Sequence, residues 1–253
     1  MKRSTADHYK TYLYGILLLL LLWQLFAMLI KEETMVFPGP VQTIRHVFTL
    51  LGKSYTYRCL GATFSKMLYG YLISLAGALL LGTISGNSVF FERLFSPFVT
   101  TLRAVPTASL IYFFIVLVGF KKAPVMMVIL ICFPILYEGI AGGIRNIPIS
   151  ILNACRLDGA DFIRRNLYIK LPLALPYIIV AMTSSFSLCF KIEIMAEVIT
   201  GSTNAGLGSV IAASRSADPT NMVPIFAYSF IAVVIMLMID FIGSTIRNKI
   251  SVN

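Results

Sequence analysis

The residues between Ile144 and Leu171 form a charged stretch within an otherwise apolar chain. Five of their side chains are basic and two are acidic, namely Arg145, Arg156, Asp158, Asp161, Arg164, Arg165 and Lys170. A charge at the centre of a hydrocarbon layer costs about 2.5 kcal/mol or more. The stretch is therefore predicted to lie in water.

The same stretch has the pattern of two short helices joined at a glycine. Ser150 can cap the first helix, and Gly159 can end it because glycine enters the left-handed region without steric cost. Asp161 can cap the second helix, where it also lies four residues before Arg165 and can form an ion pair with it. Pro172 then limits the conformation of the residue before it and is tolerated near a helix start.

Four further ionisable residues lie in or near apolar segments: Glu138, Lys191, Glu193 and Glu197. Such groups are candidates for contact with a substrate or for an internal ion pair. Glu193 and Glu197 share a helix face and repel one another unless a cation lies between them, and Lys191 is on the wrong face to pair with Glu193. The alternative is that Glu138 reaches the inner water interface and that the other three stand in external water.

Composition sets the class of protein that positions these residues. Of 253 residues, 58% are hydrophobic and 13% charged, and the mean hydropathy is +0.84. Soluble domains have about 25% charged residues, so a multi-pass membrane protein is predicted. The net charge of +10 is spread among loops, which favours membrane orientation over nucleic-acid binding. Four separated cysteines and two histidines predict neither a disulfide framework nor a metal site.

Six membrane spans are predicted in a single domain of residues 1–253. They lie near residues 12–30, 64–84, 105–120, 123–144, 172–190 and 223–242. Basic residues are more frequent in the segments that lie inside if the amino terminus is cytoplasmic, which also places the loop at 146–171 in the cytoplasm. No small-x-small cleavage site follows the first span, so it is predicted to be retained.

Three local patterns refine this arrangement. Residues 41–51 have the apolar spacing of an amphipathic helix on the outer surface. Small residues recur every four positions on one face of the second span, and we expect them to let another helix of the bundle pack closely, with a seam between two copies as the alternative. These are Gly70, Ser74, Ala78, Gly82 and Gly86. Pro97, between the second and third spans, and Pro106, at the start of the third, are expected to break helices.

Several motifs resemble the permeases of ATP-binding cassette (ABC) importers. Ala154, Gly159, Leu171 and Pro172 match the family's EAA loop, whereas Asn153 replaces its acid and Cys155 its second alanine. Three further motifs resemble the nitrate, sulfonate and taurine branch of that family. They are Phe37-Pro38-Gly39-Pro40, Phe133-Pro134-Ile135, and Ala196-Glu197 followed by Gly206-Leu207-Gly208.

The resemblance implies an all-α integral membrane fold of the type I (MetI-like) importer permease class, with a cytoplasmic coupling helix. It implies ATPase-coupling roles for a set of loop residues, namely Leu152, Asn153, Ala154, Cys155, Arg156, Asp158, Gly159, Ala160 and Asp161. It further implies a cell-membrane complex of two permease copies, two cytoplasmic ATPases and an extracytoplasmic binding protein. Glu138, Lys191, Glu193 and Glu197 are then candidates for the translocation pathway of a small polar nutrient.

The chain itself has no G-x-x-x-x-G-K-[ST] loop, so ATP is expected to bind to a partner subunit, and neither enzymatic activity nor a cofactor is expected of this chain. One alternative is an ion-coupled secondary transporter, which would be expected to have inverted repeats and broken helices. Another is a membrane-embedded enzyme, which would require clustered catalytic side chains within the spans.

Overall fold

The structure of this chain is a computed structural model. It describes residues 5–30, 37–148, 150–151, 166–201 and 205–251. Within these residues the chain is helical and has no strand. The helices are α1 (Thr5–Leu29), α2 (Pro40–Leu51), α3 (Ser54–Asn87), α4 (Val89–Ala104), α5 (Thr107–Val118), α6 (Ala123–Arg145), α7 (Leu171–Thr200), α8 (Leu207–Ala217) and α9 (Val223–Ser251). A π-helical turn, Asn166–Lys170, leads directly into α7.

Four of the described helices are long and apolar enough to cross a membrane. They are α3, α6, the continuous segment Tyr168–Thr200 and the segment Val223–Lys249 of α9. Helices α4 and α5 supply a fifth if they are counted as one span bent by 100°. The apolar part of α1, Tyr14–Leu29, is shorter. The all-helical membrane fold is confirmed, and the count of six spans stays a prediction.

The bend between α4 and α5 follows from Pro106. Val105 has the extended conformation that a following proline favours, with φ −72° and ψ 129°, and this ends α4. Pro97, by contrast, lies inside α4, so the expectation that both prolines break helices is wrong for Pro97. Arg93 in the preceding turn is exposed, so water can reach the backbone of this surface helix where the proline donates no hydrogen bond.

Helices α3 and α6 pack side by side and run in the same direction. A β-carbon at Gly82 would lie 3.0 Å from Cβ of Ile140, and one at Gly86 would lie 2.8 Å from Cβ of Ile144. The small residues of α3 therefore bring the backbones together within this chain, as the spacing predicted. In lipid such close packing supplies much of the association energy, because lipid tails are as apolar as the side chains.

Helices α6 and α7 form the other main contact of the core and are antiparallel. Gly139 abuts Ala181, and a β-carbon at Gly143 would lie 2.9 Å from Cβ of Tyr177. Cys132 and Cys189 are joined by a disulfide, with Cα atoms 6.5 Å apart. The expectation that the cysteines would not form disulfides is wrong for this pair. The two residues are 57 positions apart in the sequence, and the packing of α6 against α7 brings their side chains together.

A smaller cluster packs at one end of this core. It contains apolar residues of α2, α8 and α9, including Val47, Leu207 and Tyr228. We call this end the outer end and the opposite end the inner end, following the orientation predicted from the sequence. Helices α3 and α6 begin at the outer end, and α7 ends there.

Candidate functional site

The nine predicted ATPase-coupling residues lie outside the described part of the chain, but both flanks of their loop are described. On one flank, Arg145 at the end of α6 forms an ion pair with Glu92 of α4. On the other, Lys170 just before α7 donates a hydrogen bond to Asn87 at the end of α3. Polar contacts therefore fix both ends of the loop to the inner end of the bundle.

Glu197, near the outer end of α7, is the centre of a buried polar network. Its carboxylate accepts hydrogen bonds from Lys66 Nζ at 2.8 Å, Thr63 Oγ1 at 2.8 Å and the backbone amide of Gly208 at 2.9 Å. The Glu197 side chain is fully buried and that of Lys66 is 21% exposed. A buried carboxylate is stable when it is paired and its remaining oxygen lone pairs are satisfied. Contact of Glu197 with a substrate stays a prediction, and the network gives it a structural role.

The same network ties the segment before α8 to the core. Lys66 Nζ also donates to the backbone carbonyl of Ala205 at 3.0 Å, and the backbone amide of Leu207 donates to Thr63 Oγ1 at 2.7 Å. Two elements of the resemblance, Ala196-Glu197 and Gly206-Leu207-Gly208, therefore meet in space. The carboxylate of Glu197 accepts a hydrogen bond from the backbone amide of Gly208.

Glu193 lies one turn before Glu197 and is also fully buried. Neither of its carboxylate oxygens has a hydrogen-bond partner in the described chain. The two glutamates share the buried face of α7, as their spacing predicted. Lys66 pairs with only one of them.

Lys191 lies on the opposite side of α7 and is exposed. Residues 180, 184 and 191 fall within about 20° of one helix face, because each residue advances about 100°. Val180 and Ser184 of this face line an open cleft of about 690 Å³ between α6 and α7. Lys191 is therefore separated from Glu193 by the helix itself, as predicted.

Glu138 lies in the same cleft, one residue before Gly139, which faces Ala181, and is half exposed. Its Oε1 accepts a hydrogen bond from Arg103 Nη1 of α4 at 2.7 Å, and the Arg103 and Glu138 side chains are 49% and 43% exposed. Both residues line the cleft. The structure shows Glu138 in a half-exposed ion pair with Arg103, and contact of Glu138 with a substrate stays a prediction.

Lys66, Thr63 and Arg103 were not among the residues predicted for a site. Lys66 and Thr63 are three residues apart on one helix face. A search for an internal partner to Glu197 among the charges at the outer ends of the spans would have found this pair.

Comparison with known proteins agrees with this architecture. Residues 78–252 match the family described as binding-protein-dependent transport system inner membrane component. The putative aliphatic sulfonates transport permease protein SsuC of Escherichia coli (strain K12) is 29% identical over 203 residues, covering 79% of this chain and 76% of that protein. The nitrate import permease protein NrtB of Leptolyngbya laminosa is 24% identical over 190 residues, covering 74% of this chain and 67% of that protein.

Two solved structures have the same fold. A chain of the MetNI methionine ABC transporter, in an inward-facing conformation, superposes with a TM-score of 0.66 at 19% identity, covering 77% of this chain and 95% of that one. A chain of an amino acid ABC transporter with histidines gives 0.64 at 16% identity, covering 83% and 97%. The family match spans most of the chain and excludes the ion-coupled alternative. The chain therefore belongs to the binding-protein-dependent transport system inner membrane component family, as a multi-pass permease component of an ABC importer.

Proposed function

We propose that this chain pairs with a second copy of itself and forms a translocation pathway that is driven by two cytoplasmic ABC ATPases. An extracytoplasmic binding protein delivers the solute, and ATP is bound and hydrolysed by the ATPases alone. Alternating access follows when ATP-driven closure of the ATPases moves the docked loops and rotates the helix bundles as rigid bodies.

One observation carries this proposal: the charged loop is framed by two helices that are joined along their length. Helix α6 precedes the loop in the chain and α7 follows it. The two helices are linked by the Cys132–Cys189 disulfide and by the contact of Gly139 with Ala181. A displacement of the loop is therefore transmitted to both helices together. This is the mechanical property that an ATPase-driven coupling element requires.

The nine loop residues Leu152–Arg156 and Asp158–Asp161 are proposed to form the docking element. Leu152 would bury its apolar side chain in the ATPase groove, and Gly159 would end the docking helix. Asn153 stands where the family has an acid, and its amide both donates and accepts hydrogen bonds, so it would hydrogen-bond the ATPase without contributing a charge.

The solute is proposed to be a small polar nutrient of the kind taken up by this branch, such as nitrate, a sulfonate, taurine or a thiamine precursor. The named relatives transport aliphatic sulfonates and nitrate. The proposed wall of the pathway is the cleft between α6 and α7, which Glu138 lines. The same face of α7 continues from this cleft to the exposed Lys191. Glu193 and Glu197 would contribute from the buried face of α7, within the bundle.

The test is uptake into proteoliposomes that contain the assembled importer, with radiolabelled ethanesulfonate and nitrate supplied through the binding protein. The Gly159→Val and Leu152→Ala variants should lose most ATP-dependent uptake while the complex still accepts the loaded binding protein. Gly61→Ala, at an exposed position where a β-carbon meets no atom within 4 Å, is the matched control. Parental uptake by Gly159→Val at equal membrane abundance would refute the coupling role of the loop.

A further inference from the structure

Lys191 carries its charge at a depth where the neighbouring helices are apolar. The bond between Cys189 and Cys132 sets Lys191 level with Leu130, because α6 and α7 are antiparallel. Leu130 is seven residues after Ala123, the first residue of α6, which is about 10 Å along the helix axis. From Ala123 to Tyr137, α6 has no charged residue. The lysine thus lies about two helical turns inward from the outer end of an apolar span.

The ammonium group of Lys191 has no hydrogen bond or ion pair with any residue of the described chain, in contrast to that of Lys66. The side chain is exposed on the face of α7 that carries Val180 and Ser184 along the cleft. Within this cleft, at the level of Val180 and Ser184, Arg103 and Glu138 are already paired. Lys191 is therefore the charge on this face that the described residues leave uncompensated.

A lysine at this depth is strongly disfavoured in contact with lipid tails, and charged residues within spans face the bundle interior or a water-filled cavity. A compact ammonium with three donors and a flexible stem suits an anionic oxygen ligand that must bind briefly and leave. A single contact of this kind holds a solute less tightly than a closed cage. These are the properties expected of a transit site.

We propose that Lys191 faces the aqueous pathway and forms a transit site for the negatively charged group of the transported solute, an oxyanion such as a sulfonate or a carboxylate. This inference rests on the proposed function, because the open face of α7 must border the pathway. It names a specific side chain and a charge class for the solute. The counter-charge then comes from the solute, not from the described residues of this chain.

The electrostatic test uses Ser184→Cys as a reporter, about 10 Å from Lys191 along the same face. Cys59 and Cys155 are replaced by serine, and the importer complex is placed in phosphatidylcholine nanodiscs at low ionic strength. Two thiol reagents of similar size are compared, one an alkylsulfonate anion (MTSES) and one a quaternary ammonium cation (MTSET). Their reaction rates with the thiol introduced at position 184 report both access of water and the sign of the local potential.

We expect both reagents to react at position 184. The ratio of the anionic to the cationic rate should fall about threefold or more in Lys191→Gln, because a unit charge at this distance in a partly aqueous site changes the two rates in opposite directions. Lys191→Arg should keep the ratio. Lys122→Gln, which removes an exposed charge beyond the outer end of α6, should leave the ratio within its experimental error.

The inference is overturned if neither reagent reacts at position 184 or if Lys191→Gln leaves the ratio unchanged. It is also overturned if phosphatidylglycerol in the nanodiscs abolishes the effect, since a lipid phosphate would then occupy Lys191. The proposed function is tested separately by ATP-dependent uptake and by the Gly159→Val variant. An ATP-driven importer with an unchanged ratio would contradict this inference alone, whereas a charge-dependent ratio without ATP-driven uptake would contradict the proposed function.

Discussion

The carboxylate of Glu197 occupies the space that a side chain on Gly206 would need, so that a β-carbon at position 206 would overlap Oε1. A β-carbon at Gly208 would likewise overlap the backbone carbonyl of Ile194. The two glycines are thus required by the close approach of backbone to a buried charge. This explains physically why Glu197 and the Gly-Leu-Gly sequence occur together in one chain.

The first prediction concerns this close approach. Gly206→Ala and Gly208→Ala should each destabilise the protein by about 2 kcal/mol or more, because the added atom must displace a buried carboxylate or a backbone carbonyl. Thermal unfolding of the purified protein in detergent would measure this as a lower melting temperature. Gly61→Ala is the control and should be neutral or slightly stabilising, since Gly61 is exposed within α3. Equal melting temperatures for all three variants would contradict the packing described.

The second prediction concerns the pair of Lys66 and Glu197. Glu197→Ala should destabilise the protein by about 3 kcal/mol, because the mostly buried Lys66 ammonium and the backbone amide of Gly208 lose their hydrogen-bond acceptor. The double variant Lys66→Met with Glu197→Gln should lose less than the sum of its two single variants. A thermodynamic cycle built from the four melting curves measures the coupling. Strict additivity would show that the two side chains do not interact.

The third prediction contrasts this pair with Arg103 and Glu138. Both side chains of the inner pair are nearly half exposed, and exposed ion pairs contribute about 1 kcal/mol or less. Glu138→Gln should therefore change the melting temperature much less than Glu197→Gln. The melting temperatures of the two variants are measured in the same detergent. Equal decreases would contradict the difference in burial between the two sites.

The fourth prediction concerns the seam between α3 and α6. Gly86→Leu should reduce the amount of folded protein in the membrane, because its side chain would have to displace Ile144 in a fully packed contact. Gly77→Ala is the matched control, since its β-carbon would meet Phe133 at an ordinary 3.7 Å. Fluorescence-detected size exclusion of membrane extracts compares the two. If Gly86→Leu gave the same amount of folded protein as the parent, the close contact of α3 with α6 at Gly86 would be contradicted.

The helical membrane fold and its close-packed seam follow from local patterns in the sequence. A run of apolar residues specifies a span, and small residues at every fourth position of α3 specify one face of it, so both features can be read within a single segment. The burial of Glu193 and Glu197 on one face also follows from their spacing. These properties depend on helix geometry alone.

The partners across helices could not be predicted in the same way. Lys66 lies 131 residues from Glu197, and Cys132 lies 57 residues from Cys189. Nothing in the local sequence sets the relative translation of two helices, which is decided by packing along their whole length. The tolerance of Pro97 likewise depends on the exposure of α4 at the surface, which the sequence around the proline does not specify.

The disulfide between Cys132 and Cys189 has a mechanical consequence for the chain. It lies near the middle of α6 and in the outer half of α7, so the two helices cannot slide past each other at that point. A tilt about this point moves the two ends of a stiff pair in opposite directions. Such a tilt would carry a shift at Arg145, reversed in direction, to the region of Lys66 and Glu197, where the segment carrying α8 is attached.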